Sequence, residues 1–307
     1  MNNKKIIFMG TPLIASDFLK ILIEHNYNIV TVFTQPPRKQ NRGLELKNSP
    51  VQDLAIKNNI KIHTPTKLDD EEFKLIDLYK PDLIIVMGYG LLIPKQIFQY
   101  PKYGSINIHV SLLPRWRGAS PIEHTILNGD KESGISIIKL IEKLDAGPIL
   151  SQKKIKISEN INKDELTKQL SKIGSELLID FLPNYFQNNI KIVYQDEKKV
   201  TYAKKINSKI RKINFNLSCN EVINQIRAYA NNPGAWFIYK NERIKIISAT
   251  MTNTKSIPSI IMSDQFELGC LDGCIKPNYL QREGKKILFI EDFLRGFLFN
   301  IGDSLNE

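Results

Sequence analysis

Residues 81–90, PDLIIVMGYG, run through five consecutive apolar side chains, Leu83 to Met87, and stop at two glycines. Successive side chains of a strand point to opposite faces, so this strand must be covered on both sides. Helices on both faces of a parallel sheet meet that condition, and the flanking sequence supplies them. Ile6–Met9 and Asn28–Gln35 read as further buried strands. Thr11-Pro12 is expected to cap and open a helix with Ile14, Phe18 and Leu22 on one face. Ser49-Pro50-Val51-Gln52 and Ser120-Pro121-Ile122-Glu123 have the form of capping boxes. Lys163–Phe186 spaces Leu166, Leu170, Ile173, Leu177 and Phe181 at helical intervals. The alternation predicts an α/β fold with an open, largely parallel, doubly wound sheet.

Beyond Asn188 the pattern changes. One helix is expected from a Ser218-x-x-Glu221 capping box through Ala230, followed by short strands with turns at Pro233-Gly234, Asn241-Glu242 and Asp272-Gly273. That reads as a small OB-like β-barrel domain. The expected division is a domain over 1–189, a basic linker over 190–208 and the barrel over 209–307. A chain of 307 residues is long enough for two cores. No stretch approaches the ~20 apolar residues of a membrane span. The apolar run after Lys4-Lys5 is too short for a signal peptide, so a cytoplasmic protein is expected. Cys219, Cys270 and Cys274 have no His or further Cys nearby, which disfavours a zinc site. They are expected to be reduced strand cysteines, with no metal bound.

The net charge of +11 invites a polyanionic partner. Only nine of the 43 basic residues are Arg, however, and a Lys-, Asn- and Ile-rich composition follows from an A+T-rich genome without any ligand. Clustering therefore carries more weight than the total. Lys198–Lys212 holds seven basic residues and no acid.

The sharpest local feature is SINIHVSLLPRWRG, Ser105 to Gly118. Ile106, Ile108 and Val110 alternate with Ser105, Asn107 and His109, so an amide and an imidazole share one face, ~6.5–7 Å apart. They fall near the C-terminal end of a strand, where open α/β sheets place their ligand crevice. Downstream, Asp145 sits in LDAGP between two strands, Gly134–Ile141 and Ile149–Ile157. The residues alone leave two readings open. A core histidine with an amide partner and an acid that forms a turn is one. An acid–base pair with an amide able to donate to an oxyanion is the other. No GxGxxG follows the first strand, and no Ser or Cys stands in a nucleophile motif.

SINIHVSLLPRWRGASPI together with LDAGPIL resembles the formyltransferase family that uses 10-formyltetrahydrofolate. That family's pattern is Asn-x-His, then Ser-Leu-Leu-Pro-(Lys/Arg)-x-(Lys/Arg)-Gly, then a later Asp-x-Gly. The resemblance implies that Asn107, His109 and Asp145 are the catalytic trio. It also implies that Ser111, Leu112, Leu113 and Pro114 bind folate, with Gly88, Tyr89, Gly90 and Leu91 forming another wall. 10-Formyltetrahydrofolate would be a cosubstrate, with no tightly bound cofactor. Ala146 stands where the family often has Thr.

Family members formylate glycinamide ribonucleotide, an amino-sugar nucleotide or methionyl-tRNA, or hydrolyse the donor. The second domain and three resemblances point to the members acting on initiator methionyl-tRNA; those acting on an amino-sugar nucleotide are the alternative. The first resemblance is the basic loop within Thr34–Ala55, with Arg38, Lys39, Arg42 and Lys47. The second is YAKKI in the linker, where Lys204 replaces a usual Pro and Lys205 takes the family's lysine, with Lys209 close behind. The third is the pair of segments RAYANNPGAW and EDFLRGFLFNIGDSL, with Asn232 where Trp-Pro usually precedes Gly. Residues 190–307 carry 18 Lys and Arg against 12 Asp and Glu, as suits a tRNA-holding module. A basic RNA-binding module without catalysis is disfavoured, because a pure binder needs no trio. A monomer is the default expectation. His25, His63 and His124 are expected to be structural.

Overall fold

The computed structural model describes residues 3–40 and 45–305. The elements begin with β1 (Lys5–Gly10), α1 (Leu13–Glu24), β2 (Asn28–Phe33), β3 (Arg38–Gln40), β4 (Glu45–Lys47), α2 (Pro50–Lys57) and β5 (Ile62–His63). They continue with α3 (Asp70–Tyr79), β6 (Leu83–Met87), α4 (Lys95–Phe98), β7 (Ser105–His109), β8 (Arg117–Gly118) and α5 (Pro121–Leu127). Then come β9 (Glu132–Lys139), β10 (Ile149–Lys156), α6 (Lys163–Phe186), β11 (Tyr202–Ala203) and α7 (Cys219–Ala228). The chain ends with β12 (Ala235–Tyr239), β13 (Glu242–Thr252), β14 (Leu268–Gly269), β15 (Cys274–Arg282), β16 (Ile287–Phe289) and α8 (Ile290–Leu294).

Two compact units result. The first comprises Met1–Pro121, Glu132–Ile155 and Thr167–Ala203, the second Ile122–Lys131, Lys156–Leu166 and Lys204–Glu307. Residues 190–203, read above as linker, thus belong to the first unit. The reason is β11, which pairs in parallel with β8.

The first unit is built on a seven-stranded sheet of order β10-β9-β7-β6-β1-β2-β5. The five strands from β7 to β5 run parallel, and β9 lies antiparallel to β7. All five residues of β6 are buried, as the continuous apolar run requires. From β1 the chain winds outward through β2 to β5, then crosses back to β6 on the other side of β1. The loops after β1 and β6 therefore diverge, and the crevice of a doubly wound sheet opens between them.

Thr11 lies at that divergence and does not cap α1. Pro12 takes the N-cap position without a side-chain bond. The Thr11 hydroxyl instead donates to the Tyr89 carbonyl at 3.0 Å and accepts from the Gln35 N–H at 3.3 Å, tying together the loops after β1, β2 and β6. Ser49 does cap α2, accepting from the Gln52 N–H.

In the second unit α7 opens on a complete capping box, Ser218 with Glu221. The antiparallel strands run β12-β13-β15-β14, with β16 added to β15. Register shifts on β13 around Ser248 bend this sheet into a half-barrel. Phe215, Phe237 and Phe266 are fully buried and meet ring to ring in the core of this unit. Cys219 opens α7 and Cys270 follows β14, so Cys274 alone of the three lies in a strand; all three are free and buried. Burial pushes the Cys219 thiol up to about 11, so it stays protonated and unreactive. Among the described residues no helix is long and apolar enough to cross a membrane.

The remaining histidines hold structure. His25 is the C-cap of α1, its Nδ1 bonded to the Ile21 carbonyl. His63 lies on β5 between the Phe33 ring and the Tyr79 hydroxyl. His124 Nε2 meets the Lys204 carbonyl at 3.1 Å.

Candidate active site

Asn107 and His109 leave the C-terminal end of β7 on one face, and both reach one carboxylate. Asn107 Nδ2 donates to Asp145 Oδ1 at 3.0 Å, and His109 Nδ1 lies 3.5 Å from Asp145 Oδ2. The Gly118 N–H also donates to Oδ2, at 2.8 Å. His109 is 5% exposed and Asp145 8%, so the charge sits in a poorly solvated setting where electrostatic effects are strong. A carbonyl only accepts, so His109 Nε2 donates to the Trp116 carbonyl, 2.8 Å away. Nδ1 is the nitrogen left for proton exchange, and it faces Asp145. Asn107 keeps one amide N–H beyond the one given to Asp145.

The backbone pays for this convergence in unusual dihedrals. Asp145 (φ 49°) and Trp116 (φ 65°) occupy the left-handed region, which is costly for a bulky residue such as Trp. Trp116 is held there by its N–H, which donates to the Thr201 hydroxyl at 2.9 Å, and by the Arg115 guanidinium over its ring. Gly118 (φ 120°) has no room for a side chain, since a Cβ would lie 2.6 Å from the Ala203 carbonyl oxygen. At Gly147 a Cβ would lie 1.7 Å from the Lys139 carbonyl oxygen, so only glycine lets the Asp145 loop close against the end of β9.

The turn 111–114 spends most of its polar groups on its own shape. Ser111 Oγ donates to the Arg115 carbonyl at 2.6 Å, and Ser136 Oγ donates to the Ser111 carbonyl at 2.6 Å. Ser136 Oγ accepts from the Leu113 N–H, and Gln152 donates to the Leu113 carbonyl. Ser111 and Leu113 are buried, while Leu112 and Pro114 are half-buried. On the other side, Gly88 and Gly90 are exposed and Leu91 is half-buried. The Tyr89 ring packs into the core with Ile7, Met9, Phe33 and Ile84, and its carbonyl accepts from both Thr11 and Gln35. Tyr89 therefore faces the crevice with backbone alone.

The residues 4–182 match the family model described as formyl transferase, and 205–298 match that of the formyl transferase C-terminal domain. The chain belongs to the formyl transferase family. It is 42% identical over 296 residues to the methionyl-tRNA formyltransferase of Pelagibacter ubique, covering 95% of this chain and 96% of that one. Among solved structures it resembles WlaRD, a sugar 3N-formyl transferase solved in the presence of dTDP and 5-N-formyl-THF. That likeness has a TM-score of 0.65 and 24% identity over 93% of this chain and all of that one. It also resembles the methionyl-tRNA formyltransferase from Clostridium thermocellum, with a TM-score of 0.57 and 21% identity over 83% of this chain and 96% of that one. At these identities the solved structures speak for the fold of a formyl transferase.

Basic residues of this formyl transferase gather in three places. In the first unit the loop after β2 folds partly into the β3–β4 hairpin, where Arg38 stands directly across from Lys47. Both are exposed, and Arg38 Nη2 donates to Gln35 Oε1 at 2.7 Å. Lys39 pairs with Leu46 through the same ladder, and Arg42 lies outside the described residues. In the second unit Lys204, Lys205 and Lys209 are exposed. A third group joins Arg243 and Lys245 to Arg211 of the basic run Lys198–Lys212. Arg243 stacks over the Trp236 ring at 4.2 Å, Lys245 is the cross-strand partner of Trp236, and Arg211 Nη1 donates to the Pro233 and Gly234 carbonyls. Burial and then the charge of Arg243 push the Arg211 pKa down; burial and then Arg211 and Arg243 do the same to Lys245. Arg243 and Lys245 thus flank one tryptophan, with the charge of Arg211 close to both.

Two further groups lie near Asp145: Arg117, whose partner the sequence left open, and Gln195, which it gave no reason to single out. The Arg117 side chain is fully buried, and Gln195 joins it to the Asp145 loop. Arg117 at least stands inside the motif; nothing in YQDEKK singles out Gln195.

Proposed function

We propose that this formyl transferase moves the formyl group of 10-formyltetrahydrofolate to the free amine of methionyl initiator tRNA, through Asn107, His109 and Asp145. The observation that carries the reading is that one buried carboxylate meets both the amide and the imidazole at the mouth of the sheet. The acceptor is argued from 42% identity to a methionyl-tRNA formyltransferase along nearly the whole chain, second unit included.

The acceptor amine attacks the formyl carbon, and the C=O π pair moves onto oxygen. The N–H that Asn107 does not spend on Asp145 donates to that oxyanion, as does a proton on His109 Nδ1. The adduct collapses by breaking the bond from carbon to N10. The proton lost by the amine ends on N10, relayed by His109 beside Asp145. Leu112, Pro114, Gly88, Gly90 and Leu91, with the backbone of Ser111, Leu113 and Tyr89, form the walls for the donor. The structure of WlaRD in the presence of 5-N-formyl-THF supports a folate donor.

Phosphates are met by the Arg38–Lys47 pair, with Lys39 and Arg42 on the same loop, by Lys204, Lys205 and Lys209, and by the cations around Trp236. Like charges directly opposite on a ladder repel, and a phosphate between Arg38 and Lys47 removes that cost. The enzyme acts as a cytoplasmic monomer; three free, buried cysteines suit a reducing compartment. Charged initiator tRNA and 10-formyltetrahydrofolate should yield formyl-methionine. Formylation of an amino-sugar nucleotide without formylation of tRNA would overturn the acceptor and leave the trio standing.

A further inference from the structure

Asp145 is held at both ends by one dipeptide. The Gly118 N–H binds its carboxylate at 2.8 Å, while Arg117 acts on its backbone through an intermediary. That intermediary is Gln195. Its Nε2 donates to the Asp145 carbonyl at 2.8 Å and to the Gly147 carbonyl at 2.7 Å. Its Oε1 accepts from Arg117 Nε at 3.0 Å. The surroundings fix which way this amide points, since only the NH₂ end can face two carbonyls and only the oxygen can face a guanidinium N–H. Arg117 is itself anchored, with Nη2 on Glu197 Oε1 at 2.8 Å, and Lys143 takes the other carboxylate oxygen of Glu197.

We propose that Gln195 is a positioning residue for formyl transfer: it sets the rotation of the Asp145–Gly147 loop and so aims the carboxylate at Asn107 and His109. The inference rests on the reading of those three residues as the catalytic trio. Gln195 acts through Asp145, so its loss changes turnover and leaves substrate binding alone. A displacement of about 1 Å in such a group can cost about 10²-fold in rate.

Gln195→Ala, Gln195→Glu and Asp145→Asn in the full chain separate the possibilities, by steady-state kinetics with methionyl-tRNA and 10-formyltetrahydrofolate and by thermal melting. Gln195→Ala should lower kcat about 10–100-fold, with each KM within about two-fold of wild type. Gln195→Glu keeps an acceptor for Arg117 but sets a carboxylate oxygen against two carbonyls. Its kcat should fall at least as far, while the new ion pair with Arg117 keeps Tm at or above the wild-type value. Wild-type kcat in Gln195→Glu would mean that Gln195 serves Arg117 alone, and unchanged kcat in Gln195→Ala would likewise overturn the proposal. Full activity in Asp145→Asn would remove the trio reading itself. An inactive Asp145→Asn beside fully active Gln195 variants would remove only the brace.

Discussion

The backbone N–H of Gly118 and the Asp145 carboxylate, 27 residues apart in the chain, meet at 2.8 Å. Gly118→Ala puts a methyl 2.6 Å from the Ala203 carbonyl oxygen at a φ that L side chains rarely adopt. The expected cost is about 1–3 kcal/mol of stability, with a fall in single-turnover rate as the donor moves off the carboxylate. Chemical denaturation and rapid quench read the two effects, and wild-type values for both would show that the contact does not matter.

On the proposed mechanism, Asn107→Ala and His109→Ala each remove a donor to the developing oxyanion. Each should lower the single-turnover rate by about 10²–10³ with the protein still folded. Near-wild-type rates in either variant would end the assignment of that residue.

The cations around Trp236 predict a binding effect separate from catalysis. Arg243→Gln combined with Lys245→Gln should raise KM for tRNA and flatten its dependence on salt by about one to two charges, with kcat unchanged. An unaltered salt slope would place the tRNA elsewhere.

His63 carries a pH signature. Burial, then the charge of Lys61, lowers its pKa below the usual value. A lowered folded-state value means the neutral ring is favoured in the fold, so the stabilisation is present above the unfolded pKa of about 6.5 and lost as pH falls below it. Melting curves of wild type and His63→Phe should therefore diverge less at pH 5 than at pH 8. NMR titration of the ring should show a midpoint below that of a free histidine, and a midpoint above it would reverse the sign.

Glu197 predicts an acid limb. Hydrogen bonds from Arg117 and Lys143 hold its carboxyl down to about 2. The depressed value means the contribution is full above the unfolded glutamate pKa of about 4.3 and fades as pH drops toward 2. Glu197→Gln should flatten stability against pH in that window. An identical acid limb in the variant would show that this carboxylate adds nothing.

What the sequence disclosed was what lies close along the chain. The buried β6 run, the caps at Ser49 and Ser218 and the i, i+2 placement of Asn107 and His109 all follow from local spacing. Thr11 failed the same reasoning because its hydroxyl prefers Tyr89, 78 residues away, to the helix beside it. Asp145 looked like a turn former, and so it is; its left-handed backbone and its tie to β7 exist together, and the residues alone left the second as one of two open readings until the family resemblance favoured it. Tyr89 leaves only its backbone to the wall expected of its loop, because a large ring beside an apolar core gains more by burial than by exposure. Gln195 was invisible, since its partners sit 48 to 78 residues upstream.

The short ladder between β8 and β11 has a consequence for how the molecule is made. Tyr202 and Ala203 lie opposite Arg117 and Gly118, and Thr201 holds the Trp116 amide. A nascent chain has every strand of the seven-stranded sheet well before this segment leaves the ribosome, yet Trp116 lacks the Thr201 hydroxyl, and Gly118 its ladder partner, until it emerges. The main scaffold can fold early, whereas chemical competence arrives late, with the final strip of the first unit.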